Sequence, residues 1–193
     1  MSDRSPDYPI DPLFVARWSP RAFDASPMPE EDLLRAMEAA RWAPSAFNVQ
    51  PWRFLYALRD DPCFDAWLDL LDEFNRSWAR HASALVFLLS DTLLRYQGDT
   101  SPSRSHSFDA GAAWAQLALQ ATQLGYHAHG MAGLDFARAR EQLGVPSDFH
   151  LEMAIAIGRR AAPSALPEAL RQREQPSPRR PTIESAFRGG FPR

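Results

Sequence analysis

Three uncharged hydrogen-bonding side chains, Ser45, Asn48 and Gln50, stand close together between bulky aromatic residues. Pro44 and Pro51 enclose them. Because proline disfavours helical geometry in the residue before it, the two prolines indicate a loop of defined shape. Such amide and hydroxyl groups suit a flat, uncharged ring with polar edges better than a metal or a phosphate. An ordinary capped turn explains the same residues equally well, so the loop alone leaves both interpretations open.

Two arginines around a serine lie upstream, in the segment Arg17-Trp18-Ser19-Pro20-Arg21. A guanidinium stays charged and offers a planar fork of donors that matches the oxygens of a phosphate. Taken alone, this pattern is more typical of a solvated surface turn than of a ligand site. It becomes informative in combination with the loop.

The two motifs at this spacing resemble the nitroreductase-like family of FMN-dependent oxidoreductases. The resemblance continues through Phe108-Asp-Ala-Gly111, the alanine-rich helix after it, Gly130-Met-Ala-Gly133 and the tail motif Pro178-Arg-Arg-Pro181. Five ordered motifs over nearly the whole chain carry it. The resemblance implies FMN as cofactor and NADH or NADPH as transient hydride donor. It also implies ping-pong transfer to a small acceptor such as a nitroaromatic, a quinone or an enal.

The resemblance assigns roles to individual residues. Arg17 and the pair Arg179–Arg180 are expected to hold the phosphate, and Arg21 to place positive charge at the N1–O2 edge of the flavin. The N–H groups of Ala132 and Gly133 are expected near N5, because glycine allows close backbone approach. No side chain is expected to be catalytic, because the flavin itself carries the hydride. The expected cofactor contacts are Arg17, Trp18, Ser19, Arg21, Pro44, Ser45, Asn48, Gln50, Ala132, Gly133, Arg179 and Arg180.

Two positions depart from the pattern of the family. Relatives often carry lysine where this chain has Arg21, and some carry an acidic residue where it has Ala132. The arginine keeps the charge but changes the hydrogen-bond geometry. We therefore expect effects on the flavin potential and on the choice of substrate.

The histidines invite other interpretations. His127 and His129 share one face of a predicted strand, and His106 could join them at a metal. No Cys, Asp or Glu near them in sequence completes a ligand cluster, so we expect no metal. His129 could instead lie near the flavin and donate a proton, although a hydrogen-bonded structural role fits it better. Asp109 is expected to cap or precede the long helix.

Composition excludes several function classes. The 193 residues, 45% hydrophobic and 23% charged, fit one globular domain spanning residues 1–193. The net charge of −3 argues against a nucleic-acid partner. The chain contains no lysine, which excludes Schiff-base catalysis and a P-loop. No G-x-G-x-x-G follows a predicted strand, so a permanent NAD(P) site is not expected.

The sequence also gives an expectation about location. Cys63 is the only cysteine, which suits a reducing compartment, and we expect a cytoplasmic protein with Cys63 partly buried. The N-terminus alternates charge and proline, unlike a signal peptide. Residues 110–134 lack charged side chains but carry many polar groups, so we expect a buried helix and strand without a membrane partner.

Hydrophobic periodicity and proline positions predict the elements that must hold these residues. Helices are predicted over 11–16, 30–42, 62–74, 108–124 and 136–143, and strands over 52–58, 84–89, 126–131 and 151–157. Residues 91–107 are expected to be a mobile surface connection. Residues 163–193 lack a core-forming pattern, so they either stay disordered or wrap a partner.

With the resemblance, these elements predict an α+β protein of three-layer α/β/α architecture with a mixed central sheet. Small residues and the glutamines at 116, 120 and 123 suit the central helix of a homodimer with two FMN sites at the subunit interface. The extension 164–193 is expected to wrap the partner subunit. A same-fold flavoenzyme with different chemistry (dehydrogenation of a peptide ring, reductive dehalogenation) and a non-catalytic flavin-binding module remain alternatives.

Overall fold

A four-stranded sheet with helices on both faces forms the centre of the computed structural model, which describes residues 4–192. The helices are α1 (Pro12–Ala16), α2 (Glu30–Arg41), α3 (Phe64–Leu68), α4 (Glu73–Ala79), α5 (His106–Gln123), α6 (Phe136–Gln142) and α7 (Glu168–Arg171). The strands are β1 (Trp52–Leu58), β2 (Ala84–Asp91), β3 (Leu93–Tyr96), β4 (Asp99–Pro102), β5 (His127–Met131) and β6 (Phe149–Gly158).

The central sheet has the strand order β1-β2-β6-β5. Each neighbouring pair is antiparallel. The sheet is therefore antiparallel rather than mixed, because residues 4–192 contribute no parallel strand to it. All eight residues of β2 are buried, as the continuous apolar run of this strand predicted.

Alternate residues of β2 point to opposite faces of the sheet and enter two separate cores. Val86 and Leu88 pack in one core with the buried faces of α2 and α5. Leu85 and Phe87 pack in the other with α3, α4 and α6. The predicted three-layer α/β/α architecture is thus confirmed.

Most predicted elements are confirmed to within two residues at each end, but the helix expected over 62–74 is interrupted. Leu71 leaves helical geometry to form a β-bridge with Leu134. Asp72 then caps α4, because its carboxylate accepts the N–H of Asn75 at 2.7 Å. This capped start gives α4 its own direction and places its first turn against Gly133, whose carbonyl accepts the Asp72 N–H.

The connection expected to be mobile contains a hairpin instead. Strands β3 and β4 pair through a turn at Gln97 and Gly98, which both have positive φ (52° and 89°). That combination is typical of a tight two-residue hairpin turn. The polar composition of residues 91–107 did not indicate this hairpin, because it is equally typical of a mobile connection.

The C-terminal extension divides into two parts. Leu166 and Leu170 are buried in the core of their own chain, contrary to the absence of a core-forming pattern expected for 163–193. Most residues from Gln175 to Pro192 are exposed. Cys63 is exposed, so the expected partial burial of its thiol is wrong. Across residues 4–192, no helix has both the length and the apolar character needed to cross a membrane.

Candidate functional site

Residues 17–21, here called the arginine segment, continue directly from the short helix α1. Asp11 caps α1 by accepting the N–H of Leu13, and the N–H of Arg17 closes the helix on the Leu13 carbonyl at 2.9 Å. Trp18 and Pro20 are buried, while Ser19 is partly exposed. Arg17, Ser19 and Arg21 alternate with these buried residues and are less buried than Trp18 and Pro20.

The guanidinium of Arg17 lies in a cluster of like charges. Its Nη1 donates to Ser19 Oγ at 3.3 Å, and Arg4 Nη2 donates to the Arg17 carbonyl at 3.4 Å. Burial lowers the pKa of Arg17, and the charges of Arg179 and Arg4 lower it further. Within residues 4–192, no carboxylate lies at ion-pair distance from Arg17 or Arg179. Such a cluster is suited to an anion.

The tail contributes to this cluster as the motif predicted. Arg179 is close enough to Arg17 for its charge to act there. Arg180 lines an open cavity of about 290 Å³ together with Arg4, Arg179 and Thr182. The N–H of Thr182 donates to the carboxylate of Asp7 at 2.6 Å. The N-terminal stretch and the tail are therefore in contact at the arginine cluster.

Arg21 lies in a different environment from Arg17. Its guanidinium is 5.9 Å from the ring centroid of Phe74 and 6.0 Å from that of Trp78. Its Nε is buried and lacks a hydrogen-bond partner in the described chain. Burial lowers the pKa of Arg21 most, Arg173 lowers it further, and Glu174 opposes the shift. A buried donor without a partner is costly, so this group is suited to an acceptor from a ligand.

Residues 44–50, here called the strained loop, owe their shape to backbone angles that are rare outside glycine. Phe47, Asn48 and Gln50 all have positive φ, at 51°, 55° and 50°. Asparagine tolerates this region, whereas phenylalanine and glutamine adopt it at a cost. Strain of this kind concentrates at functional sites, where the surrounding structure enforces it.

Two groups enforce the shape of the strained loop. Ser45 Oγ accepts the N–H of Gln50 at 3.0 Å and closes the loop on itself. Asp109, buried in the first turn of α5, accepts the N–H of Ala46 at 3.2 Å and the hydroxyl of Ser105 at 3.0 Å. Asp109 therefore connects the strained loop to α5. The sequence predicted only that Asp109 caps or precedes the helix, whereas Asp109 lies within its first turn. Pro44 and Asn48 are exposed.

Gly133 lies after β5, against the start of α4. Its carbonyl accepts the N–H of Asp72 at 3.0 Å and Nδ2 of Asn75 at 3.2 Å. An added Cβ would collide with both of these side chains, so glycine is needed here for packing. Ala132 is exposed. The backbone at 132–133 is therefore open to solvent on one side, as the expected approach to a ring requires.

The three histidines differ in their surroundings, and the ring centroid of His127 lies 6.1 Å from that of Trp18. His129 Nδ1 lies 2.9 Å from the Pro20 carbonyl, and its ring centroid is 4.7 Å from that of Trp78. Burial lowers the pKa of His129 to about 4. His106 is near Ser90 (2.8 Å) and belongs to another network, with Glu152. Because a carbonyl only accepts, His129 is neutral with its proton on Nδ1, which supports the structural role.

The structure joins some of the expected residues and leaves others apart. Arg17, Ser19 and Arg179 meet in one cluster, with Arg180 beside it. In residues 4–192 no hydrogen bond or ion pair links the strained loop to the arginine segment. Sequence reasoning missed Arg4 and Glu174, and no motif marked either of them.

Known proteins are similar to this chain over most of its length. A model of the nitroreductase family matches residues 15–159. The chain is similar to a crystal structure described as an oxidoreductase containing FMN, with 50% identity, a TM-score of 0.96, and coverage of 100% of this chain and 98% of that one.

Two further relatives are more distant. A structure from Desulfovibrio desulfuricans in complex with FMN has 26% identity and a TM-score of 0.73, covering 95% of this chain and 100% of that one. An uncharacterized 15.4 kDa protein of Mycolicibacterium smegmatis, in the ask 5′ region, is 34% identical over 131 residues. That match covers 67% of this chain and 84% of the relative.

Proposed function

Because this chain belongs to the nitroreductase family, we propose that it is an FMN-dependent NAD(P)H oxidoreductase. When bound, FMN would supply the redox chemistry, which is hydride transfer from NADH or NADPH to a small nitroaromatic, quinone or enal by way of N5 in a ping-pong scheme. The coarser part of this statement, oxidoreduction with FMN, is supported by family membership and by the half-identical FMN-containing relative.

The observation that carries the proposal is the arginine cluster, in which Arg17 and Arg179 have no acidic partner among residues 4–192. Arg17 and Arg179 hold their charges near one another at a cost, which burial increases. A phosphate dianion would relieve that repulsion and accept several charge-assisted hydrogen bonds. The residues present therefore fit the terminal phosphate of FMN, with Ser19 and Arg180 as further donors.

The remaining residues fit the flavin ring. Arg21 Nε, buried without a partner, is suited to the N1–O2 edge, where its charge favours the reduced anion. The N–H groups of Ala132 and Gly133 are suited to N5. The uncharged groups of the strained loop, together with Trp18 and Pro44, are suited to the polar edges and faces of the ring. We propose that these are Ser45, Asn48 and Gln50.

His129 holds the site in shape and does not transfer a proton. At neutral pH its single proton is already donated to the Pro20 carbonyl, and a pKa near 4 keeps the ring uncharged. No side chain of the site is therefore assigned as a general acid. Protons for the acceptor would come from solvent.

We further propose a cytoplasmic homodimer in which the sites are shared between subunits. Large aromatic side chains are exposed, including Phe108 at 80% and Trp42 at 71%. These side chains are candidates for the interface, since contiguous exposed apolar patches mark protein interaction sites. Sharing would also explain why the strained loop and the arginine segment do not bond to one another within one chain.

The visible spectrum of the purified protein tests the main proposal. We expect a yellow protein that releases FMN, not FAD, on denaturation and whose flavin absorbance bleaches with NADH or NADPH. A colourless protein that takes up no FMN on titration would refute it. A yellow protein that neither nicotinamide bleaches would instead indicate a non-catalytic flavin-binding module. Bleaching without turnover of nitroaromatics, quinones or enals would favour different chemistry on the same fold.

The tail is proposed to wrap the partner subunit, and truncation tests this. A truncation after Pro163 would also remove Leu166, Leu170 and Glu174, which are buried in their own chain. We therefore expect truncation after Gln175 to preserve the fold but to weaken the dimer and FMN retention. Sedimentation at low concentration and dialysis measure the two effects. A truncated form that stays dimeric and yellow would show that Arg179 and Arg180 are not needed.

A further inference from the structure

Glu174 is a buried acidic residue in the first half of the tail, where most of the other residues are exposed. Only 8% of its surface is accessible, whereas Gln172, Arg173 and Gln175 are exposed. Leu166 and Leu170 anchor the preceding residues in the core, so Glu174 is brought to a fixed position. A carboxylate is costly to bury unless hydrogen bonds compensate for its lost hydration.

The compensating hydrogen bonds come from the backbone of the arginine segment. Glu174 Oε1 accepts the N–H of Arg21 at 2.8 Å and that of Ala22 at 2.9 Å. Oε2 lies 3.1 Å from the same Arg21 nitrogen. The carboxylate thus binds two consecutive peptide groups at the point where the side chain of Arg21 begins.

The backbone after Arg21 is held by residues 160–161. The Ala22 carbonyl accepts the N–H of Ala161 at 2.8 Å, and Phe23 forms an antiparallel bridge with Arg160. Consecutive N–H groups of an extended strand point to opposite edges, so one neighbouring strand could not accept from both Arg21 and Ala22. The carboxylate of Glu174 supplies the acceptors for both of these N–H groups.

The side chain of Arg21 has few restraints of its own. No carboxylate of residues 4–192 lies at ion-pair distance from its guanidinium, and its aromatic neighbours fix only an approximate position. The placement of the Arg21 side chain therefore depends on the backbone from which it extends. The N–H groups of that backbone are bound by Glu174 of the tail.

We propose that Glu174 is a positioning residue that holds Arg21 at the ring edge of the cofactor and so couples the tail to the relative affinity for reduced and oxidised FMN. This inference rests on the proposed function, because the role of Arg21 does. Nothing in the sequence motifs points to position 174. The contact assigns the first half of the tail a task within its own subunit, separate from the proposed wrapping of the partner.

Hydrogen exchange tests the contact without any cofactor. In FMN-free protein, Glu174→Ala should abolish the slow exchange of the Arg21 and Ala22 amides, while Glu174→Gln, which keeps a carbonyl oxygen, should preserve part of it. Glu168→Ala removes an exposed carboxylate from the same tail and serves as the matched control. Equal protection in the Glu174→Ala variant and the native protein would overturn the inference.

A second experiment separates positioning from simple anchoring of the tail. The ratio of the dissociation constants for oxidised and reduced FMN is measured for Glu174→Ala in the native and the Arg21→Ala backgrounds. We expect a change of about threefold or more in the native background and almost none with Arg21→Ala, since coupled neighbours act non-additively. A lower melting temperature with an unchanged ratio, or equal changes in both backgrounds, would show that Glu174 only anchors the tail.

Glu174→Asp keeps the charge but withdraws the carboxylate by one methylene, and it serves if the alanine variant does not fold. The Glu174→Asp variant should show the same Arg21-dependent change in the ratio of dissociation constants. An unchanged ratio in this variant would overturn the inference. The two proposals fail in different ways. Protein that binds no FMN refutes the proposed function, whereas protein that binds FMN with a ratio insensitive to position 174 refutes this inference alone.

Discussion

The arginine segment and the strained loop are two regions of one proposed site, and they are built on opposite principles. The arginine segment contains no residue with positive φ, but no carboxylate of residues 4–192 lies at ion-pair distance from its two guanidinium groups. The strained loop carries no charge, but Phe47, Asn48 and Gln50 all adopt left-handed backbone angles. In the first region the cost lies in electrostatics, and in the second it lies in backbone geometry.

The difference extends to how each region is held. The arginine segment is fixed by distant elements: His129 binds the Pro20 carbonyl and Glu174 binds the Arg21 N–H. The strained loop is closed mainly by its own Ser45, with Asp109 as its external support. Substitutions at the charges of the arginine segment should therefore affect the ligand more than the fold. Substitutions at the supports of either region should affect the fold.

The largest expected effect concerns the support of the arginine segment by His129. Burial lowers the pKa of the His129 imidazole from its ordinary value of 6.5 to about 4 in the folded protein. As the pH falls through 6.5, His129 of the unfolded chain binds a proton, but His129 of the folded protein does not. The free energy of unfolding therefore decreases progressively down to about pH 4. The full effect is about 3 kcal/mol of unfolding free energy.

Urea unfolding near pH 7 and near pH 4 measures this loss. The variant His129→Asn cannot titrate but keeps a donor for the Pro20 carbonyl, so it should lose less stability than the native protein over the same interval. If both proteins lose the same amount, other groups account for the acid sensitivity and the segment is not held by a neutral imidazole.

The next largest effect is on the ligand. Arg17→Ala should weaken FMN binding about ten- to a hundredfold, because a charge-assisted hydrogen bond contributes roughly 1.5–3 kcal/mol. The melting temperature should change little, since Arg17 has no acidic partner to lose. Arg35→Ala removes an exposed arginine paired with Glu31 and serves as the control. Because riboflavin lacks the phosphate, titration with FMN and with riboflavin measures the contribution of the phosphate to affinity. Equal losses of affinity for both ligands would contradict the assignment of Arg17 to the phosphate.

The sequence predicted those parts of the molecule that depend on local patterns. The apolar run of β2 and the acidic start of α2 indicated elements that the structure confirms. The proximity of Arg17 and Arg179 agrees with the roles that the family resemblance implied, although Arg4 was not foreseen. Arg4 and Glu174 were missed because each binds a backbone group of the arginine segment. A sequence motif does not show which backbone groups a distant side chain binds. The break at Asp72 was missed because a cap inside an apolar run looks like continued helix.

A third prediction concerns the external support of the strained loop. Asp109→Ala should lower the unfolding free energy by about 1–3 kcal/mol, because the partly buried N–H of Ala46 and the hydroxyl of Ser105 lose their acceptor. Asp109→Asn keeps one acceptor oxygen and should cost less. Any loss of FMN affinity should be insensitive to salt, in contrast to the loss at Arg17, which screening reduces. Equal salt dependence of the two losses would erase the distinction between the regions.

The smallest expected effect tests whether the geometry of the loop is retained for the ligand. Gln50→Gly removes a left-handed cost of roughly 1–2 kcal/mol and adds an entropic cost of roughly 0.5–1 kcal/mol, so stability should rise by up to about 1.5 kcal/mol. FMN affinity should nevertheless fall, because the amide side chain is lost. Ala25→Gly is a matched control, since Ala25 also has positive φ (60°) but lies outside the proposed site. It should gain similar stability and bind FMN unchanged. If Gln50→Gly gains stability without losing affinity, the strain at this position serves only the turn itself. The comparison between a charged and a strained half of the site would then not hold at Gln50.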